Sequence, residues 1–155
     1  GLFSMYSHEL DQLAWLAGEI RSVQAVMKYG DDSDNEIEEH IFITLAFESG
    51  AVGSMSSSRV YPVNSYELGV AGTGGAMKLN VPGGPLVIGR MGEKPEEIEV
   101  VRNDGLVDEI TYFLDCVRRG AQPEPNGLDG RRVVAVALAA HESARTGKRV
   151  FVSEG

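Results

Sequence analysis

From residue 38 to residue 101 the sequence alternates in side-chain character with a period of two, and glycine-rich turns interrupt it at short intervals. This pattern constrains the fold more than any other feature. Glu48-Ser49-Gly50, Gly72-Thr73-Gly74-Gly75, Pro82-Gly83-Gly84-Pro85 and Gly92-Glu93-Lys94-Pro95 are the interruptions. Nineteen glycines in 155 residues exceed the usual share of about 7%, so many tight turns and many short strands are expected. Strands are predicted over 19–29, from about 40 to 47, and over 51–61, 65–72, 76–81, 85–90 and 96–101, with the spacing of an antiparallel meander. In the second of them Ile41, Ile43, Leu45 and Phe47 share one face, and His40, Phe42, Thr44 and Ala46 share the other. Both faces carry apolar character, which predicts cover on both.

The ends of the chain change period. Leu10, Leu13, Ala14 and Ala17 recur at i, i+3, i+4 and i+7, which predicts an amphipathic helix over 7–17, with Ser7 as its cap and Gly18 as its stop. Leu106, Ile110, Phe113, Leu114 and Val117 mark a second helix ending near Gly120. A third, about 128–146, places Val133, Val134, Ala137, Leu138 and His141 on one side and stops at Gly147; residues 148–153 close as a strand. The order helix, strands, two helices, strand predicts a single domain over residues 1–155. Its class is α+β, a two-layer α/β sandwich: one large, mostly antiparallel, open-faced mixed sheet with helices packed on one face.

A net charge of -9 and a pI near 4.8 oppose nucleic acid and anionic membranes as partners, since affinity for polyanions depends on Lys and Arg. The single cysteine, Cys116, cannot form an internal disulfide, which suits a cytoplasmic location; its apolar neighbours predict a buried thiol. No run of apolar residues is long enough to span a bilayer, and Gly1-Leu2-Phe3 is too short for a signal peptide.

Familiar cofactor motifs fail on context. Gly69-Val70-Ala71-Gly72-Thr73-Gly74-Gly75 is followed by the alternating Ala76-Met77-Lys78-Leu79-Asn80-Val81, whereas a dinucleotide fingerprint must open a helix. A hairpin turn is the expectation. Asp31, Asp32, Asp34, Glu36, Glu38 and Glu39 form an acidic cluster, but Ile37 and Ile43 stand where a calcium loop needs Gly and Glu. That cluster reads as a solvated turn.

Candidate chemistry therefore rests on scattered side chains. His8 and Asp11 lie one helical turn apart at a helix entrance and point the same way, and an imidazole suits proton transfer near neutrality. A capping or packing role for His8 is the competing reading. Arg59 and Tyr61, at the end of a strand of small residues, are candidates to clamp a polar ligand. His40 and His141 lack carboxylates at ligand spacing and read as structural.

Three stretches, in this order, resemble the carboxy-terminal domain of the glucose-fructose oxidoreductase, inositol dehydrogenase and MocA (Gfo/Idh/MocA) family. Residues 7–18, Ser-His-Glu-Leu-Asp-Gln-Leu-Ala-Trp-Leu-Ala-Gly, are similar to its catalytic His-x-x-Asp helix. Residues 67–79 look like its Gly-Thr-x-Gly hairpin, and residues 108–150 resemble its closing helix pair and last strand. The resemblance spans nearly the whole chain. It implies a parent enzyme with an amino-terminal Rossmann domain that binds NAD or NADP, while this chain supplies substrate contacts and an open sheet face for homodimer or higher homo-oligomer formation.

The reaction so implied moves a hydride between nicotinamide C4 and a carbinol carbon of a sugar, polyol or related small molecule. His8 matches the catalytic His and Asp11 a substrate-contacting carboxylate. Ser4 stands where the family often carries Asp, beside the same substrate position. Glu93-Lys94-Pro95 spells the family's catalytic lysine tripeptide, but that tripeptide belongs to the Rossmann domain and here it falls in an acidic turn. The expectation is a substrate-binding and oligomerisation domain with no cofactor of its own, inactive without its Rossmann partner. A stand-alone ligand-binding or assembly module on the same fold is the alternative, and the sheet face with Phe42, Thr44, Ser54 and Ser56 is the expected seat of a second copy.

Overall fold

The structure, a computed structural model, describes all residues except 1–5, 31–36, 64–65, 82, 102 and 154–155. Its contacts divide into two compact units, one formed by residues 1–60 and 122–155 and the other by residues 61–121.

In the first unit the chain order is α1 (Ser7–Ala17), β1 (Ile20–Tyr29), β2 (Glu38–Phe47), β3 (Val52–Ser58), α3 (Gly127–Thr146) and β8 (Val150–Phe151). The strands lie in the order β3-β2-β1-β8, and every pairing is antiparallel. The period-two pattern of β2 settles which face is covered. Ile41, Ile43, Leu45 and Phe47 are buried with Val23 and Ala25 of β1, Leu10 of α1, and Val133, Val136, Ala137 and Ala140 of α3. On the other face Val26, Phe42 and Val52 are exposed, so within the described residues only one of the two predicted layers of cover exists.

Helix α1 has the predicted limits, but Tyr6, not Ser7, occupies its N-cap, and no side chain caps it. The buried Tyr6 ring and Leu10 anchor the first turn, whose Leu10 N–H donates to the Tyr6 carbonyl at 3.2 Å. Gly18, at φ 90°, ends the helix in a conformation other residues adopt only at a cost.

Helix α3 also has nearly the predicted limits, yet its inward face differs from the one read from its larger residues. Val134 and Leu138 are exposed, while Val133, Val136, Ala137, Ala140 and Ser143 are buried. Small side chains let the helix approach β1 closely enough for a direct bond. Ser143 Oγ accepts the Ala25 N–H at 2.9 Å and donates to the Lys148 carbonyl at 2.6 Å. The β1–β8 ladder pairs Ser22 with Phe151 and Val23 with Val150. Carried two residues further, that register would set Ala25 opposite Lys148, so the serine hydroxyl bridges the gap where the strand pairing stops.

The second unit contains β4 (Tyr66–Gly72), β5 (Gly75–Val81), β6 (Leu86–Gly89), β7 (Glu96–Ile98) and α2 (Gly105–Arg119). Its strands form the expected antiparallel meander in sequence order. Gly72 pairs with Gly75 across a two-residue Thr73-Gly74 turn. Gly75 has φ 147°, and a Cβ there would strike the Gly89 carbonyl oxygen of the neighbouring strand. Glycine is obligatory at that crossing. In α2 the Cys116 thiol is buried as predicted.

The α+β class stands with two differences. The described strands form two four-stranded sheets where one sheet was expected, and every pairing is antiparallel rather than mixed. The break follows β3, where the chain passes Arg59, Val60, Tyr61 and Pro62 before β4. A proline has no N–H to donate and interrupts a ladder.

Candidate functional site

The candidate site is built on α1. Tyr6 and Leu10 hold one side of the helix in the core; His8, between them, is exposed, and Asp11, just beyond Leu10, is partly so. His8, Asp11 and Trp15 stand at i, i+3 and i+7 and share a face of the helix. No hydrogen bond or ion pair holds the His8 ring among the described residues. Ser4 lies outside the described residues.

Asp11 and Trp15 line a cavity of about 700 Å³ whose opposite wall is the Glu124-Pro125-Asn126 segment and the first turns of α3. Local sequence fixes that wall. Asn126 Oδ1 accepts the Leu128 N–H at 2.8 Å, and Asp129 Oδ2 accepts the Asn126 N–H at 2.8 Å, a reciprocal cap that satisfies orphan donors of the helix start. The Arg132 guanidinium lies 3.2 Å from Glu19 and 3.3 Å from Asp129, which ties the start of β1 to the start of α3. The Trp15 side chain is 83% exposed. An unburied indole beside a carboxylate offers an apolar plane and a hydrogen-bond acceptor, a combination suited to a ligand with C–H faces and hydroxyl edges.

The other candidates are dispersed. Arg59 is exposed just beyond β3, where its backbone N–H donates to the Glu39 carbonyl at 2.9 Å. Tyr61 is exposed at the start of the second unit. Gly72–Gly75 joins two strands and opens no helix, so it does not fit a dinucleotide phosphate. Glu93-Lys94-Pro95 is an exposed turn between β6 and β7, with Glu93 3.9 Å from Arg90. Of the acidic cluster, Asp31, Asp32, Asp34 and Glu36 lie outside the described residues.

One cluster escaped the sequence reading. Glu38, 3% exposed, places Oε1 2.8 Å from His141 Nε2, and the Tyr29 hydroxyl lies 3.4 Å from His141 Nδ1. His141 therefore has the carboxylate partner that its own surroundings in the sequence lack. Burial pushes the Tyr29 phenol above its usual range, and the Glu38 charge adds to the effect. Tyr29 and His141 line a second cavity, of about 840 Å³, with Leu138, Glu142 and Arg145. Period two places Glu38 on the phase of His40 and Phe42, and the register shift between Lys28 and Tyr29 buries it instead, so the sequence carried no local signal of the pair.

With this geometry established, comparison with known proteins defines the class. A family model described as "Oxidoreductase family, C-terminal alpha/beta domain" matches residues 1–152. The chain belongs to the Gfo/Idh/MocA oxidoreductase family, as the C-terminal alpha/beta domain. No curated protein sequence matches. Among solved structures, levoglucosan dehydrogenase in complex with NADH and L-sorbose superposes with a TM-score of 0.89 at 19% identity, over 100% of this chain and 51% of that one. The aldose-aldose oxidoreductase from Caulobacter crescentus, complexed with glycerol, gives 0.80 at 25% identity over 94% and 45%. The WlbA dehydrogenase from Bordetella pertussis, in complex with NADH and UDP-GlcNAcA, gives 0.72 at 25% over 96% and 44%. The chain thus spans about half the length of these neighbours. Among the described residues, no helix is long and apolar enough to cross a membrane.

Proposed function

We propose that this chain is the substrate-binding and oligomerisation half of an NAD(P)-dependent oxidoreductase acting on a sugar, polyol or related hydroxylated compound, with the cofactor held by a Rossmann half of the same polypeptide. The observation that carries this reading is the outward face of α1. His8 and Asp11 stand one turn apart on it, above an exposed indole, in a chain whose family is an oxidoreductase family. Solved neighbours of this fold carry NADH together with L-sorbose or UDP-GlcNAcA.

In this reading His8 takes the proton of the substrate hydroxyl as the carbinol is oxidised and returns it in reduction. Asp11 accepts a hydrogen bond from a neighbouring hydroxyl and fixes the substrate's orientation against the helix. Ser4, Arg59 and Tyr61 are proposed as further substrate contacts. The described glycine turns do not fit a dinucleotide, so the hydride step is assigned to the other half.

The test uses the natural full-length polypeptide. His8→Gln should lower kcat by roughly 10²–10⁴, the usual worth of a positioned proton-transfer group, with NAD(P)H affinity unchanged. Tight NAD(P)H binding by residues 1–155 alone would sink the assignment of the cofactor to the other half. Undiminished turnover by the variant would remove His8 from the chemistry.

The uncovered face of the first sheet supports the oligomer. Val26 and Phe42 are directly paired there, and Val52 is 83% exposed. A second copy on this face would bury them. Phe42→Asp should then reduce the solution mass to that of one chain, and a wild-type chain that stays monomeric at high concentration contradicts the proposal.

A further inference from the structure

We infer that the substrate of the proposed site is a hydroxylated compound carrying an ammonium group, which sits between the Trp15 indole and the Asp11 carboxylate; this rests on the proposed function. The cavity beside α1 is lined by residues of the first unit alone, so its chemistry is a property of that unit. Among the described residues, Asp11, Glu19, Glu124 and Asp129 bring four carboxylates to it, and Arg132 brings the one guanidinium.

That guanidinium is already engaged. Its Nε lies 3.2 Å from Glu19 and its Nη1 3.3 Å from Asp129, so two of the carboxylates share one cation and the cavity keeps an excess of negative charge. No hydrogen bond or ion pair holds the Asp11 carboxylate among the described residues. A substrate bearing a carboxylate or phosphate would meet like charge here, which weakens binding and slows entry. Anionic sugars are therefore disfavoured.

Trp15 separates the neutral substrate from the cationic one. Its side chain is 83% exposed and stands one turn after Asp11 on the same side of α1. The face of an indole attracts a cation lying within about 6 Å of the ring centre, so ring and carboxylate address the same positive group. An amine set among hydroxyls is protonated near neutrality; its C–H neighbours meet the ring while its N–H groups donate to Asp11. The amine is only a handle. The carbinol gives up hydride and proton as described above, and the nitrogen keeps its bonds and its charge.

The natural full-length polypeptide is offered glucose, galactose and mannose, each as the neutral hexose, the 2-amino sugar and the uronate, with NAD and with NADP. The order of kcat/KM should be amino sugar, neutral sugar, uronate, with roughly tenfold between the first two. The value for the amino sugar should fall as ionic strength rises. Asp11→Asn and Trp15→Leu should each shrink the ratio of amino to neutral sugar by roughly threefold or more, whereas a purely structural role would lower both values and leave the ratio unchanged. A neutral sugar or uronate preferred over its amino counterpart overturns the inference, as does a ratio that neither variant moves. NAD(P)H binding is measured on the same sample. Binding without turnover of any amino sugar refutes the ammonium class alone, and absence of binding refutes the oxidoreductase reading on which it rests.

Discussion

Ser143→Ala isolates one bridging hydroxyl. Ser143 is 0% exposed, and its Oγ accepts from Ala25 and donates to Lys148 at 2.9 and 2.6 Å. Alanine removes both partners at once, at a point beyond the last β1–β8 pair. An orphaned buried donor costs about 1–3 kcal/mol, and the lost bond to the carbonyl adds about 0.5–1.5 kcal/mol. The expected loss is therefore about 2–4 kcal/mol. For a chain of this size each kcal/mol shifts the midpoint by roughly 2–4 °C, so the midpoint should fall by roughly 5–15 °C. Urea and thermal unfolding followed by circular dichroism measure it, with an unchanged m-value marking a change in stability and not in compactness. Ser56→Ala, on the exposed face of β3, is the control and should stay within about 0.5 kcal/mol. A Ser143→Ala loss no larger than the control would refute the bridge.

The Tyr29 phenol, followed by its ultraviolet absorbance, should titrate above its ordinary value of about 10, and Glu38→Gln should lower that midpoint only in part, because burial is the larger cause. Since the folded-state value lies above the unfolded one, the associated stability is intact below about pH 10 and is lost as pH rises through the folded value; Tyr29→Phe should remove that alkaline loss, and an unchanged pH profile would contradict it. Leu10→Ala, at a fully buried site, should cost about 2–5 kcal/mol. Trp15→Ala, on the opposite side of the same helix, should change stability by less than about 0.5 kcal/mol yet raise the KM of the proposed full-length oxidoreductase; an unaltered KM would show that the indole plane does not meet substrate.

Local rules carried the elements whose information is local. Gly18, Gly120 and Gly147 ended the helices where positive φ is required, and Gly72–Gly75 closed a hairpin because two strands flank it. The α1 face was legible because Leu10, Leu13, Ala14 and Ala17 recur at helical spacing, and these are the residues that meet the core. For α3 the same reasoning misassigned the inward side, because close approach to β1 favours alanine and serine over the bulkier Val134 and Leu138. Residue size predicts burial only where the neighbouring layer leaves room for it.

The sequence by itself determined the class, the limits of the helices, the antiparallel meander and the pairing of His8 with Asp11 on one helix face, because periodicity, turn chemistry and capping act within a few residues. Only the tertiary structure decided the division into two sheets, the second wall beside Asp11 and Trp15, the Ser143 bridge and the Glu38–His141 pair. Each of these joins, or fails to join, groups far apart along the chain, and such contacts are fixed by the packing of whole layers.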